Sequence, residues 1–146
     1  MSEEVLAYFT EWARKRPNSI EFWELFVTTE RVIACFAGET FSSALLRADM
    51  GENAREELAE LSIEEIAAYN ERTFEFFLTD LESLVLTRGS RFRRARLRLE
   101  WDGEEMTFYN TKIGDAQEGL AQSLADDSRF DPTIEITDPS GLFDRS

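Results

Sequence analysis

Histidine is absent from this chain. That excludes Ser–His–Asp and Cys–His nucleophilic sites, imidazole metal ligands and imidazole proton shuttles. The single cysteine, Cys35, can close no internal disulfide and cannot by itself build a thiolate zinc site. Set between Ala34 and Phe36, it reads as a small buried apolar residue, and a cytoplasmic location is the expectation. The 7 glycines are scattered, so no glycine-rich phosphate loop is present. No apolar run approaches the roughly 18 residues of a transmembrane helix. Met1-Ser2-Glu3-Glu4 lacks the basic and apolar regions of a secretory leader. Lysine is nearly missing as well: Lys15 and Lys112 stand beside 14 arginines.

What is present is an apolar, aromatic and strongly acidic chain. Its 146 residues are 42% hydrophobic and include 12 Phe and 3 Trp, too many for a disordered acidic segment and enough for one domain over residues 1–146. Thirty acidic residues face 16 basic ones, with a formal net charge of −14. Acid excess with almost no lysine resembles proteins of salt-accumulating archaea, whose acidic surfaces stay soluble where salt screens ordinary repulsion. A GC-rich genome that encodes Arg in preference to Lys is the alternative.

Local patterns divide the chain. Residues 1–20 read as an N-terminal helix: Val5, Phe9, Trp12 and Ala13 share a face at helical spacing, Ser2 caps, and Pro17 ends it. Residues 21–37 read as a hairpin turned at Thr29-Glu30. Residues 42–70 read as a helical insertion, with Leu46, Met50, Ala54, Leu58 and Leu61 in one stripe, a break at Gly51 and a capping box opening at Ser62. Residues 73–110 read as antiparallel strands, the last two joined at Asp102-Gly103. Residues 115–125 read as a C-terminal helix capped by Asp115, and residues 126–146 as a tail with one short strand at Thr133–Thr137.

The order of these pieces resembles small prokaryotic pleckstrin-homology-like (PH/GRAM-like) domains over roughly residues 21–125. Leu25-Phe26-Val27-Thr28-Thr29-Glu30-Arg31-Val32-Ile33 is similar to their "LxLTxxRLI" strand-turn-strand. Leu78-Thr79-Asp80-Leu81-Glu82-Ser83-Leu84 is similar to their "IPLxDIxxV" entry into the second half. The resemblance implies a partly open barrel plugged by the C-terminal helix. With the helical insertion added, the expected fold class is α+β: an antiparallel sheet or partly open PH-like barrel with an N-terminal helix, a central helical insertion and a C-terminal helix.

One segment breaks the charge pattern. Arg88, Arg91, Arg93, Arg94, Arg96 and Arg98 fall within eleven residues, and removing those six charges from −14 would leave −20. A turn at Asp102-Gly103 sets Arg98 opposite Thr107 and Arg96 opposite Tyr109, so Arg94, Arg96 and Arg98 project from one face beside an aromatic ring. Arginine forks grip phosphates or carboxylates, and an aromatic neighbour stacks. The candidate binding residues are Arg91, Arg93, Arg94, Arg96, Arg98 and Tyr109. Against them stands a simpler expectation, that these arginines pair with the chain's own acids. Adjacent pairs such as Glu56-Glu57, Glu64-Glu65 and Asp126-Asp127 do not converge on one point and make poor metal or acid/base sites. The expectation is therefore a non-enzymatic protein-interaction or scaffolding module, self-associating or bound to a protein partner, with no catalytic residue, metal or cofactor. The alternative is a phosphate-bearing ligand, nucleic acid or anionic membrane headgroup, held by the arginine hairpin.

Overall fold

The computed structural model describes residues 3–40, 52–114 and 117–138. Their order is β1 (Val5–Lys15), β2 (Ile20–Thr28), β3 (Arg31–Thr40), α1 (Glu52–Leu58), α2 (Ile63–Ala67), β4 (Phe74–Phe77), a 3-10 turn (Leu78–Asp80), β5 (Leu81–Thr87), β6 (Arg94–Trp101), β7 (Glu104–Ile113), α3 (Glu118–Asp126) and β8 (Thr133–Thr137). The strands form one mixed sheet in the order β4-β3-β2-β1-β7-β6-β5-β8, with β5 and β8 parallel and the other neighbours antiparallel.

The sheet rolls back on itself. Phe76 of β4 stacks on Trp101 of β6 with ring centroids 4.3 Å apart, although β3, β2, β1 and β7 lie between them in the hydrogen-bonded order. In a flat sheet those strands would stand about 24 Å apart. Rolling gives one inner face, where Phe9, Trp12, Trp23, Leu25, Leu84, Leu86, Leu97 and Phe108 pack with Ala121 and Leu124 of α3. The architecture is sandwich-like and mostly β.

This overturns the α+β expectation. The N-terminal segment is strand, not helix. Its apparent helical spacing comes from a bulge between Phe9 and Trp12, where Glu11 takes φ 68°. One extra residue keeps Ala7, Phe9 and Trp12 all on the inner face, so the step from 9 to 12 imitates one helical turn. The described part of the central segment, residues 52–70, holds two short helices of 7 and 5 residues. They lay Leu58 and Ile66 on Phe26, Ile33 and Cys35, the outer face of β2 and β3. Ser62 does form the capping box with Glu65. α3 overlaps the segment read as a C-terminal helix, and the short strand expected at Thr133–Thr137 is β8, which pairs with β5. Ser2, Leu46, Met50, Gly51 and Asp115, on which parts of those readings rest, lie outside the described residues.

The helices thus cover the outer face of β2 and β3. Alternate residues on β6 are buried at Ala95, Leu97 and Leu99 and more open at Arg94, Arg96 and Arg98. The arginine segment faces outward because its partners in the period-2 pattern are needed in the core.

Candidate functional site

The β6–β7 hairpin places the site. Asp102 and Gly103 adopt φ 46° and 80°, a two-residue turn with both positions left-handed. It sets Trp101 against Glu104, Leu99 against Met106, Arg98 against Thr107, Leu97 against Phe108 and Arg96 against Tyr109. Across four strands the outward row runs Thr87 (β5), Arg96 (β6), Tyr109 (β7), Ala13 (β1). Ala13 contributes a single methyl, and Tyr109 beside it remains 37% exposed.

At the start of β6 the chain makes a tight turn through Ser90-Arg91-Phe92-Arg93. Ser90 N–H donates to Arg93 O at 3.1 Å, Arg93 N–H donates to Ser90 O at 3.3 Å, and Phe92 N–H donates to Ser90 Oγ at 3.3 Å. Gly114 N–H donates to Arg93 O at 3.0 Å and ties the turn to the end of β7. Gly89 is required there, since a Cβ would fall 2.0 Å from Gly114 O. The turn presents Phe92, 80% exposed, with the Arg91 guanidinium 5.5 Å from its ring centroid.

The arginines divide into two groups. Arg88 turns away from the face to Glu118 and Asp138, each at 3.0 Å. Arg98 lies 3.5 Å from Glu100 on its own strand, and its buried Nε makes no hydrogen bond. Arg94 makes one long contact, Nε to the Thr111 carbonyl at 3.4 Å. Among the described residues no carboxylate stands within ion-pair distance of Arg91, Arg94, Arg96 or Lys15. Lys15, Thr87, Arg93, Arg94, Arg96 and Tyr109 line one open depression of about 270 Å³. Lys15 and Tyr109 also border a second, of about 480 Å³, which reaches Arg14 and Thr107. A larger hollow of about 510 Å³, lined by Phe77, Leu81, Arg129 and Asp131, lies elsewhere; its cation Arg129 is already paired with Asp127 and Glu4.

The structure therefore brings Arg93, Arg94, Arg96 and Tyr109 together, sets Arg91 on the adjoining turn and leaves Arg98 partly engaged by Glu100. Sequence reasoning missed Lys15 and Thr87. Lys15 reaches the site only because β1 pairs with β7, a contact between residues almost a hundred positions apart, and no local pattern carries it. Thr87 had a signal: the strand at 84–87 ends beside the arginine turn.

Chemically, four cationic side chains and two hydroxyls around a small hollow can grip phosphoryl or carboxylate oxygens. Among the described residues, no carboxylate, thiol or imidazole lines this depression. Among the described residues no group of three or more His, Cys, Asp or Glu could hold a metal ion, and no helix is long and apolar enough to cross a membrane.

No family model matches this chain, and no curated protein matches it. A search of solved structures finds the hSac2 domain from human phosphoinositide phosphatase Sac2, at a TM-score of 0.48 and 10% identity, covering 95% of this chain and 79% of that one. A likeness at that level says nothing of what this chain binds.

Proposed function

We propose that this protein is a non-catalytic binding module whose outer β5–β6–β7 face takes a phosphate-bearing ligand. The observation that carries the reading is the absence of any ion-paired carboxylate, among the described residues, at Arg91, Arg94, Arg96 and Lys15, in a chain with 30 acidic residues. Had the face merely been balanced by the protein's own acids, carboxylates would stand on it as they stand on Arg31, Arg72, Arg88 and Arg129. Several like charges around one hollow repel each other, and folding alone supplies no reason to gather them there. A doubly charged phosphate removes that repulsion and fills the guanidinium forks. Thr87 and Tyr109 add hydroxyl donors at the rim.

The test is calorimetric titration with inorganic tripolyphosphate at low salt. The wild type is expected to bind, and the R94S/R96S double variant to lose at least tenfold in affinity. A wild type that binds no polyphosphate overturns the proposal. Polyglutamate bound as tightly as polyphosphate would point to an acidic protein partner instead.

A further inference from the structure

We infer that the phosphate-bearing ligand is single-stranded nucleic acid, laid along β6 with bases stacked on Tyr109 and Phe92. The inference rests on the phosphate-binding reading of the same face and adds the shape of the ligand to it.

The cations form a line. Arg94, Arg96 and Arg98 occupy alternate outward positions of one strand, a repeat of about 6.8 Å apart from the irregularity between Arg94 and Arg96. Arg91 and Arg93 stand on the tight turn that leads into β6. The third rung, Arg98, is engaged by Glu100, 3.5 Å from its Nε, so the open part of the line is Arg94 and Arg96. A linear series of forks fits a chain of phosphates better than one compact anion.

Aromatic rings accompany that line. Val5, Phe77, Phe92 and Tyr109 are the exposed large hydrophobic side chains among the described residues, and two of them flank the arginines. Tyr109 lies directly opposite Arg96, and Phe92 sits between Arg91 and Arg93. A cationic track with exposed rings beside it is how single strands are held without sequence readout: phosphates follow the charges and bases lie on the rings.

A bilayer fits less well. Glu100, beside Arg98, and Glu105, opposite Glu100, belong to the hairpin end of this face. A charged plane laid on the whole face would meet those acids, whereas a single strand can follow Arg94 and Arg96 and stop short of them. The net charge of −14 opposes both, but screening to about 8 Å at physiological ionic strength confines its effect.

The experiment is fluorescence anisotropy with labelled oligo(dT) and oligo(U) of about 12 nucleotides, within the range one small single-strand-binding domain covers. The wild type is expected to bind both, and a duplex of the same length more weakly. The plot of log affinity against log salt should have a slope of about −2 to −3 for three or four phosphates contacted, and R94S/R96S should flatten it by about 1.4. Phe92→Ser and Tyr109→Ala should each weaken binding about five- to hundredfold with the slope unchanged. Phe92 is exposed, so its variant isolates stacking from folding; circular dichroism melts check both variants. Equal binding of duplex and single strand, or no loss in either ring variant, overturns the inference. A protein that binds tripolyphosphate through Arg94 and Arg96 but no oligonucleotide overturns it too, while leaving the phosphate site standing. Sedimentation with phosphatidylserine vesicles in place of oligonucleotide binding would do the same and assign the face to membranes. Failure with every phosphate probe overturns both readings.

Discussion

Arg31 and Arg96 sit on the same rolled sheet in opposite circumstances. Arg31, at the start of β3, reaches Glu3 at 2.8 Å, Glu64 at 2.9 Å and Glu75 at 2.7 Å, and its side chain is 13% exposed. Arg72 nearby bridges Glu21 and Glu39 and lies 3.8 Å above the Phe36 ring. Arg96, on β6, has no such partner among the described residues. The chain therefore does not lack acids that can meet arginines. It places several of them where an arginine joins strands and helices, whereas among the described residues a single carboxylate on β6, Glu100, meets an arginine there, Arg98. Glu105, opposite Glu100 on β7, borders the neighbouring depression with Tyr109, and among the described residues it still stands within ion-pair distance of no arginine on β6. The difference separates arginines that tie elements of the fold together from arginines with no ion pair among the described residues.

The comparison breaks most visibly at Arg31. Replacing it by Ala leaves the Glu3 carboxylate, 12% exposed, with the Thr28 hydroxyl as its remaining donor. Arg31 is the main reason Glu3 is held below the usual carboxylate range. Charged hydrogen bonds of this kind contribute about 1.5–3 kcal/mol each, and stranding a partly buried charge adds to the loss. Glu64 is 82% exposed and adds little. A loss of about 2–4 kcal/mol by urea unfolding is expected; a loss below about 0.5 kcal/mol would erase the contrast with β6.

A second test uses the acid most deeply set beneath the helices. Glu24, on β2, is 1% exposed. Its carboxylate accepts from the Tyr8 hydroxyl at 2.7 Å and from Glu11 N–H at 3.2 Å, with Arg55 of α1 at 3.6 Å and the Glu11 carboxylate nearby. Burial raises its pKa to about 7, against the hydrogen bonds and Arg55 that lower it. Because the folded pKa lies above the unfolded one, the native state binds more protons between roughly pH 4.5 and 7. That stability is full below the lower value and is lost as pH rises through the upper one. The loss is on the order of 3 kcal/mol at most. Glu24→Gln should flatten the decline between pH 5 and 8, and an unchanged slope would show that another group carries it.

How much of this was readable beforehand follows from how local each signal is. The β6–β7 register was fully legible, because Asp102-Gly103 and the alternation Ala95, Leu97, Leu99 against Arg94, Arg96, Arg98 fix it within fifteen residues. The β2–β3 turn was legible for the same reason; Thr28 Oγ1 accepts from Glu30 N–H and Arg31 N–H and closes it. β1 was not, since one inserted residue at Glu11 converts a strand pattern into a helical one. The fold class followed that error, because a long strand read as a helix turns a mostly β chain into an α+β one. The arginine partners were not legible at all. Whether an acid meets an arginine depends on side chains brought together from elements as distant as Glu3, Glu64 and Glu75 around Arg31. Composition favoured self-pairing for every arginine, and the β6 face departs from composition.

Salt sharpens the comparison from the other side. With 30 acids against 16 bases, most of the surface carries unbalanced negative charge that opposes compaction at low ionic strength. Raising salt to about 1 M shortens the screening length from about 30 Å at 0.01 M to about 3 Å. The clasps around Arg31 and Arg72 weaken in the same series, but they are fewer and partly shielded. The melting temperature is expected to rise, by the equivalent of about 1 kcal/mol or a few degrees. A flat or falling series would mean that local pairs dominate, and would remove the composition argument for a salt-adapted source.

The smallest effect is the most informative about β6. The R94S/R96S double variant, expected to lose at least tenfold in phosphate affinity, should leave unfolding stability within about 0.5 kcal/mol of the wild type. Both side chains are exposed, and neither has an ion pair among the described residues to lose. Arg94 gives up one 3.4 Å contact to the Thr111 carbonyl, long enough to contribute little. The aliphatic stems shield some sheet surface, and their removal exposes it. Against that, two fewer cations around Lys15 and Arg93 relieve like-charge repulsion in the hollow. The two terms oppose each other and both are small, so near-neutrality is the expected balance. If the double variant instead lost more than about 1 kcal/mol, these arginines would be supporting the sheet as Arg31 does, and the division between the two regions would disappear. If it gained stability at low salt and lost the gain as salt rose, the repulsion gathered on the β6 face would be measured directly.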